Sequence, residues 1–237
     1  MPGPNIEYPE TPGLHQTSPG DMHTVKGTGF TEPGVEGTSQ RSNGVFGTSA
    51  DPGASGVYGQ NDGGGIGVGG RSLQGVGIFG EGPIAGRFLG NVEVSGDVQL
   101  LNADCAEDFD IFGAEPIEPG TVMVVGAEGM LHESRRAYDK CVAGVLSGAG
   151  GYKPGIVLDK HESQSNRMPV ALLGKVFCKV DASLTPVEVG DLLTTSDIPG
   201  YAMKAVDPLK AFGAVIGKAL RPLEGGQDLI PILIALQ

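Results

Sequence analysis

Six short glycine-rich units recur between Gly34 and Gly90. They are Gly34-Val35-Glu36-Gly37, Gly44-Val45-Phe46-Gly47, Gly56-Val57-Tyr58-Gly59, Gly67-Val68-Gly69-Gly70, Gly77-Ile78-Phe79-Gly80 and the degenerate Ala85-Gly86-Arg87-Phe88. The first five begin at positions 34, 44, 56, 67 and 77, so the spacing is nearly constant. Self-similarity at a near-constant period marks a repeat architecture. Each unit holds enough for a short strand and a tight turn, and too little for a core. Glycine fills a third of the positions from Gly27 to Gly90. Ordering the backbone costs roughly 1–2 kcal/mol per residue, and a fully buried Val or Phe returns about 1.5–3 kcal/mol. A lone chain of this composition stays unfolded. Either the segment is a flexible linker, or identical chains wind together and pool their apolar positions.

The regular placing of Val, Phe, Tyr and Ile favours the second outcome, because a linker needs no period. Collagen is excluded, since glycine does not recur at every third position. A single-chain β-helix is disfavoured, because the segment is too short for more than about three coils. The expected form is a trimeric glycine-rich β-helix or β-prism stalk. Val45, Phe46, Val57, Tyr58, Ile78, Phe79 and Phe88 are expected on its inward face, with glycine allowing turns and close approach near the axis.

Composition narrows the function classes. The 237 residues suffice for one real core plus an extended part. Net charge is −12, with 4 basic and 10 acidic side chains up to position 100 and 12 and 18 beyond it. No basic run or patch offers an electrostatic footprint for nucleic acid. The acidic balance keeps copies soluble and apart. The start of the chain has no basic segment followed by an apolar run, so no secretory signal is expected. No stretch reaches the roughly 18 apolar residues of a membrane span. Cys105, Cys141 and Cys178 form neither a disulfide framework nor a metal pattern. Cys141 and Cys178 lie in strand-like runs and are expected in the core. His15 and His23 have no ligand partners at metal spacing, so neither a metal nor a cofactor is expected.

Three regions follow. Residues 1–26 are rich in Pro, Gly, Ser and Thr and read as either a disordered tail or an extended arm that lies on a partner, the arm being the expectation. Residues 27–100 are the stalk, closed by a period-two ribbon from Asn91 to Leu100. From 101 to 237 the apolar runs lengthen: 121–125, 141–146, 155–158, 170–180, 190–195, 211–220 and 229–236. Seven such strands imply an all-β, barrel-like domain with at most a short helix. At one common offset, Ile117–Val124 echoes Val187–Thr194 and Val142–Ser147 echoes Phe212–Gly217, which suggests a barrel of two related halves.

One acidic constellation stands out, Ala103-Asp104-Cys105-Ala106-Glu107-Asp108-Phe109-Asp110. Its four crowded carboxylates repel one another, and such crowding raises pKa values. By itself the segment also reads as the start of an acidic surface strand, with Asp104 capping a turn. The word Ala-Asp-Cys-Ala-Glu-Asp-Phe resembles the start of the C-terminal autoprocessing and chaperone domain of phage pre-neck appendage and tail-spike proteins. Val170–Val176, Gly190-Asp191-Leu192-Leu193, Pro199-Gly200-Tyr201-Ala202 and Val215–Leu220 are similar to the same group. The resemblance implies a trimeric β-helical fibre whose terminal domain assists trimerisation. It also implies, for members that cut themselves, Asp104 and Glu107 as acid and base acting near Leu101-Asn102-Ala103. Cys105 stands where that family has a tyrosine, and Asp108 where an aromatic follows.

Other constellations are thinner. Ser196-Asp197 lies in a Pro-Gly turn. His132 beside Glu133 and Ser134 lacks the distant partners a triad needs. His161–Asn166 reads as an exposed polar loop. Gly63–Gly70 has no following helix or Lys-Ser/Thr pair to hold a phosphate. The leading expectation is a non-enzymatic homotrimeric fibre or spike of a phage tail or contractile injection system, assembled in the cytoplasm and carried on a particle. Its arm is expected to grip a particle or baseplate protein, and its distal domain to meet a cell-surface receptor. The alternatives are a self-cleaving precursor that releases its C-terminal domain, and a bacterial surface or matrix fibre.

Overall fold

The computed structural model describes residue 31 and residues 33–113, 116–161 and 165–235. The expected arm over 1–26, with His15 and His23, lies outside the described residues. The chain divides into two compact units, Met1–Gly90 and Asn91–Gln237.

In the first unit no helix or strand forms among the described residues, and their one backbone–backbone hydrogen bond runs from Ala54 N to Asp51 O. Order comes from glycine instead. The closing glycine of each tetrapeptide lies against the opening residue of the next: Gly37 on Gly44, Gly47 on Gly56, Gly59 on Gly67, Gly70 on Gly77, Gly80 on Ala85. A Cβ would lie 2.5 or 2.8 Å from the facing carbonyl oxygen at Gly44 or Gly56, a clash that calls for glycine, and 3.1 Å at Gly67 or Gly77, a tight contact. Between necks the chain makes a loop. A polar side chain two positions past the closing glycine ties it: Ser39 Oγ accepts from Ser42 N (3.0 Å), Ser49 Oγ from Asp51 N (3.2 Å), Asn61 Oδ1 from Gly63 N and Gly65 N (2.9 and 3.0 Å), and Ser72 Oγ from Gly75 N (2.9 Å). The short strands expected of the repeat are therefore not formed within one chain. A ladder needs a neighbour, and a chain that visits each tetrapeptide once supplies none.

The second unit is nearly all β. Asn91–Leu100, expected as a ribbon, carries no strand. Ten strands follow: β1 Asp104–Asp110, β2 Val122–Val125, β3 Leu131–Glu133, β4 Val142–Leu146, β5 Pro154–Leu158, β6 Arg167–Asp181, β7 Leu192–Thr195, β8 Ala202–Lys204, β9 Val215–Ala219 and β10 Gln227–Ile234. Beyond a single 3-10 turn at Ala127–Gly129, helix is confined to α1 at Pro208–Ala211, which Asp207 caps by accepting from Leu209 N and Lys210 N.

Strands β6, β10, β9, β7 and β8 pair in turn and return to β6, closing a five-stranded barrel. Its interior holds Val176, Cys178, Leu193, Ile216, Ile230 and Ile232. The strands β1, β6, β4, β2 and β3 make a second ring, closed where Ile111 bridges Leu131 in parallel. Its interior is Ile111, Met123, Leu131, Leu146 and Val170. The long β6 serves both rings and changes over at Gly174, which pairs with Asp104 of β1 and with Ile234 of β10. A left-handed φ of 101° and the Ala103 carbonyl, 2.7 Å from where a Cβ would sit, require glycine there.

The stretches that echo each other in sequence also share a pairing pattern. Val122↔Val145, Met123↔Gly144, a bulge, then Val124↔Val142 repeats as Leu192↔Lys218, Leu193↔Gly217, a bulge, then Thr194↔Val215. The leading strand, β2 against β7, keeps the offset read from the sequence. The last strand, β4 against β9, lies further on, so Gly144 corresponds to Gly217 and not to Ala214. One cysteine departs from expectation: Cys178 is buried, while Cys141 is exposed in the turn before β4.

Candidate functional site

The acidic junction lies on β1. Asp104 is buried and accepts both contacts of the Ser147 hydroxyl, at 3.0 and 2.8 Å. Loss of hydration pushes its pKa above the usual aspartate value, and the Ser147 hydrogen bond opposes that shift. The extra residues in β1's pairings sit on its partners, so β1 alternates regularly. Positions three apart then point to opposite faces. Asp104 and Glu107 are therefore not brought together, and the Glu107 carboxylate makes no hydrogen bond or ion pair among the described residues. Leu101 and Asn102 are exposed beside a cleft of about 350 Å³ lined by Tyr152, Lys153 and Lys175. Ala103 is held by its N–H to Lys153 O at 3.0 Å. Ser147 and Gly174, which the acid depends on, lie far along the chain, and no local word announces them.

At the other end of β1, Arg167 gathers Asp110 Oδ2 (3.2 Å), the Asp108 carbonyl (2.6 Å) and the Asp159 carboxylate. Two of the four crowded carboxylates are thus held from elsewhere in the chain: Asp104 by the Ser147 hydroxyl, and Asp110 by the Arg167 guanidinium and the Ser165 hydroxyl. Ser196 Oγ accepts from Ile198 N at 2.8 Å, the turn expected there. His132 bonds its neighbour's carbonyl, Glu133 O, at 2.9 Å. Burial pushes the Cys178 thiol far above its ordinary range, so it is an inert core group. Among the described residues, no three His, Cys, Asp or Glu side chains are placed to hold a metal ion.

The larger feature is the repeat face. Every described residue from 33 to 102 is exposed, including fourteen large apolar side chains between Val35 and Leu89. The Val or Ile of each tetrapeptide stands over the preceding neck. Val45 Cγ2, Val57 Cγ2, Val68 Cγ2 and Ile78 Cγ1 lie 2.5–2.8 Å from the Cβ sites of Gly37, Gly47, Gly59 and Gly70. Phe46, Tyr58 and Phe79 are more than three-quarters exposed, a little more than the 65–72% of Val45, Val57, Val68 and Ile78. Phe88 rests its ring edge against Gly86, 3.1 Å from that Cβ site. The face is thus a periodic row of aliphatic and aromatic groups with no ladder and no cover within the chain. Its four capping residues, Ser39, Ser49, Asn61 and Ser72, repeat with the necks, a sequence signal that the Gly-Val-x-Gly pattern overshadows.

No protein-family model matches the chain, and no curated protein matches it. Among solved structures, the chain is similar to the N base of head fibre gp8.5 of bacteriophage phi29, at 18% identity and a TM-score of 0.26, over 57% of this chain and 92% of that one. A likeness at that score does not bear on function.

Proposed function

We propose that this protein is a structural fibre component that works as a homotrimer, of the kind carried by phage tails and contractile injection systems. The observation that supports the reading is the state of residues 33–90: ordered by glycine necks and capped turns, yet with every large apolar side chain exposed. Covering a large share of those fourteen groups removes on the order of several hundred Å² per chain from water, the scale of the roughly 800 Å² per partner of a stable association. Sister copies are the occupants that match a periodic face with a period of their own. The β-barrel unit completes its interior alone and acts as the C-terminal clamp of the repeat. The particle assignment rests on the sequence resemblance to phage appendage proteins. In this reading the arm over 1–26 attaches to a particle or baseplate protein, the chain assembles in the cytoplasm, and three distal units together engage a cell surface with a gain by effective concentration. Native mass measurement tests the core of it. A trimer at micromolar concentration, with residues 33–90 resistant to protease, is expected; a monomer with that segment cleaved overturns it.

A further inference from the structure

We infer that the aliphatic row Val35, Val45, Val57, Val68 and Ile78 lines the axis shared by the copies, and that the adjoining row Glu36, Phe46, Tyr58, Gly69 and Phe79 faces outward. The inference rests on the trimeric reading and goes beyond it, because the sequence pattern alone puts both rows inside. Symmetry supplies the first argument. Near a threefold axis each residue meets its own two copies. Three copies of Glu36 would gather like charges away from water, and three of Gly69 would leave a gap. Three Val or Ile at every level fill one cross-section with the same β-branched shape.

The necks supply the second argument. From Val45 onward, each aliphatic side chain of the row already fills the space over the glycine before it, at 2.5–2.8 Å from the Cβ site, so the row and the necks form one surface. Glycine at the necks carries no side chain, so backbones can approach most closely on that surface. Copies can therefore come near one another there and exchange the backbone hydrogen bonds that no tetrapeptide makes within its own chain. On the adjoining row, size varies and a carboxylate occurs, as an outward face allows. The second copy is thus the occupant of the aliphatic row, and the aromatic row is left as the fibre's outer surface.

Single cysteines in a background carrying Cys105→Ser and Cys141→Ser test the assignment. Val57→Cys is expected to give a disulfide-linked dimer under a mild oxidant, because copies at the axis bring thiols within bridging distance and three thiols allow one bond. Tyr58→Cys is expected to stay monomeric on the same non-reducing gel and to react with maleimide at least about ten times faster in the assembled protein. Val45→Cys and Phe46→Cys repeat the comparison one unit away, should either first variant fail to assemble. A trimer in which Tyr58→Cys cross-links while Val57→Cys is freely labelled overturns the inference and leaves the trimer standing. A background protein that is monomeric by native mass overturns the reading beneath it.

Discussion

Glycine does the same local job in both units and leads to opposite outcomes. At Gly47 and Gly56 in the repeat, and at Gly144 and Gly217 in the barrels, a carbonyl oxygen occupies the place a Cβ would take. In the barrels that close approach sits inside a hydrogen-bonded register. Met123 pairs Gly144 over one interior and Leu193 pairs Gly217 over another. In the repeat the same approach closes a loop, and the groups it sets in line remain in water. Close backbone packing therefore fixes a shape without supplying stability. What separates the units is whether one chain closes its own ring, as β6 does twice by passing through Gly174.

The difference breaks most directly on dilution. Lowering concentration until copies separate is expected to remove amide protection throughout residues 33–90 and leave the barrel strands protected, as hydrogen exchange would report. Simultaneous loss in both units would show that the barrels, too, depend on partners. Gly217→Ala comes next, because its Cβ would strike the Leu233 carbonyl in a sheet that cannot yield. A loss above about 3 kcal/mol is expected in the barrel unit at any concentration. Gly56→Ala strikes the Gly47 carbonyl instead, with a Cβ only 2.8 Å away. It is expected to cost about 1–3 kcal/mol per copy of the assembled form and nothing in the isolated barrels, read from the two melting transitions.

Asp104 sharpens the contrast from inside the barrel unit. Its pKa is raised in the folded state, so the folded state binds more protons than the unfolded one over the interval from the ordinary aspartate value up to the raised one. Stability from this group is then greatest below that interval and falls as pH rises through it. Asp104→Asn is expected to flatten that slope. Ser147→Ala is expected to cost about 1.5–3 kcal/mol above the interval, where the buried carboxylate loses its donor, and less below it. Denaturant titrations at several pH values check both. The same variants bear on self-cleavage: a single full-length band, unchanged by Asp104→Asn or Glu107→Gln on a denaturing gel, assigns the acid to the fold alone.

The Val/Leu/Ile runs were readable as strands because burial in a sheet needs apolar side chains, and β2, β4, β5, β6, β7, β9 and β10 all announce themselves so. The strands β1, β3 and β8 did not. Two of them are very short, and β1 carries four acidic side chains, of which Asp104 and Asp110 find partners, Ser147 and Arg167, only through the fold. The duplication was visible as a word match, yet the chain from β3 to β4 is shorter than the chain from β8 to β9, which holds α1, so one offset could not serve all strands. Cys141 was misplaced because the apolar run begins one residue before β4, in the exposed turn. At the repeat, composition announced the missing core. It could not announce that Val57 and Tyr58 differ, because only the necks give the two rows different neighbours.

The smallest expected effects lie in the turn caps, and they decide whether necks or turns hold the repeat in shape. Asn61 Oδ1 takes two backbone donors, Gly63 N and Gly65 N, while Ser72 Oγ takes one. These bonds are exposed, so each is worth about 0.5 kcal/mol per copy, the low end for a hydrogen bond that water can replace. Asn61→Ala is then expected to lower the melting temperature of the assembled repeat by a few degrees, about twice the shift of Ser72→Ala. Gly56→Ala should exceed both. If Asn61→Ala instead costs as much as the neck substitution, the loops rather than the glycine necks set the repeat. The aliphatic row would then owe its alignment to side-chain caps that any short polar residue provides.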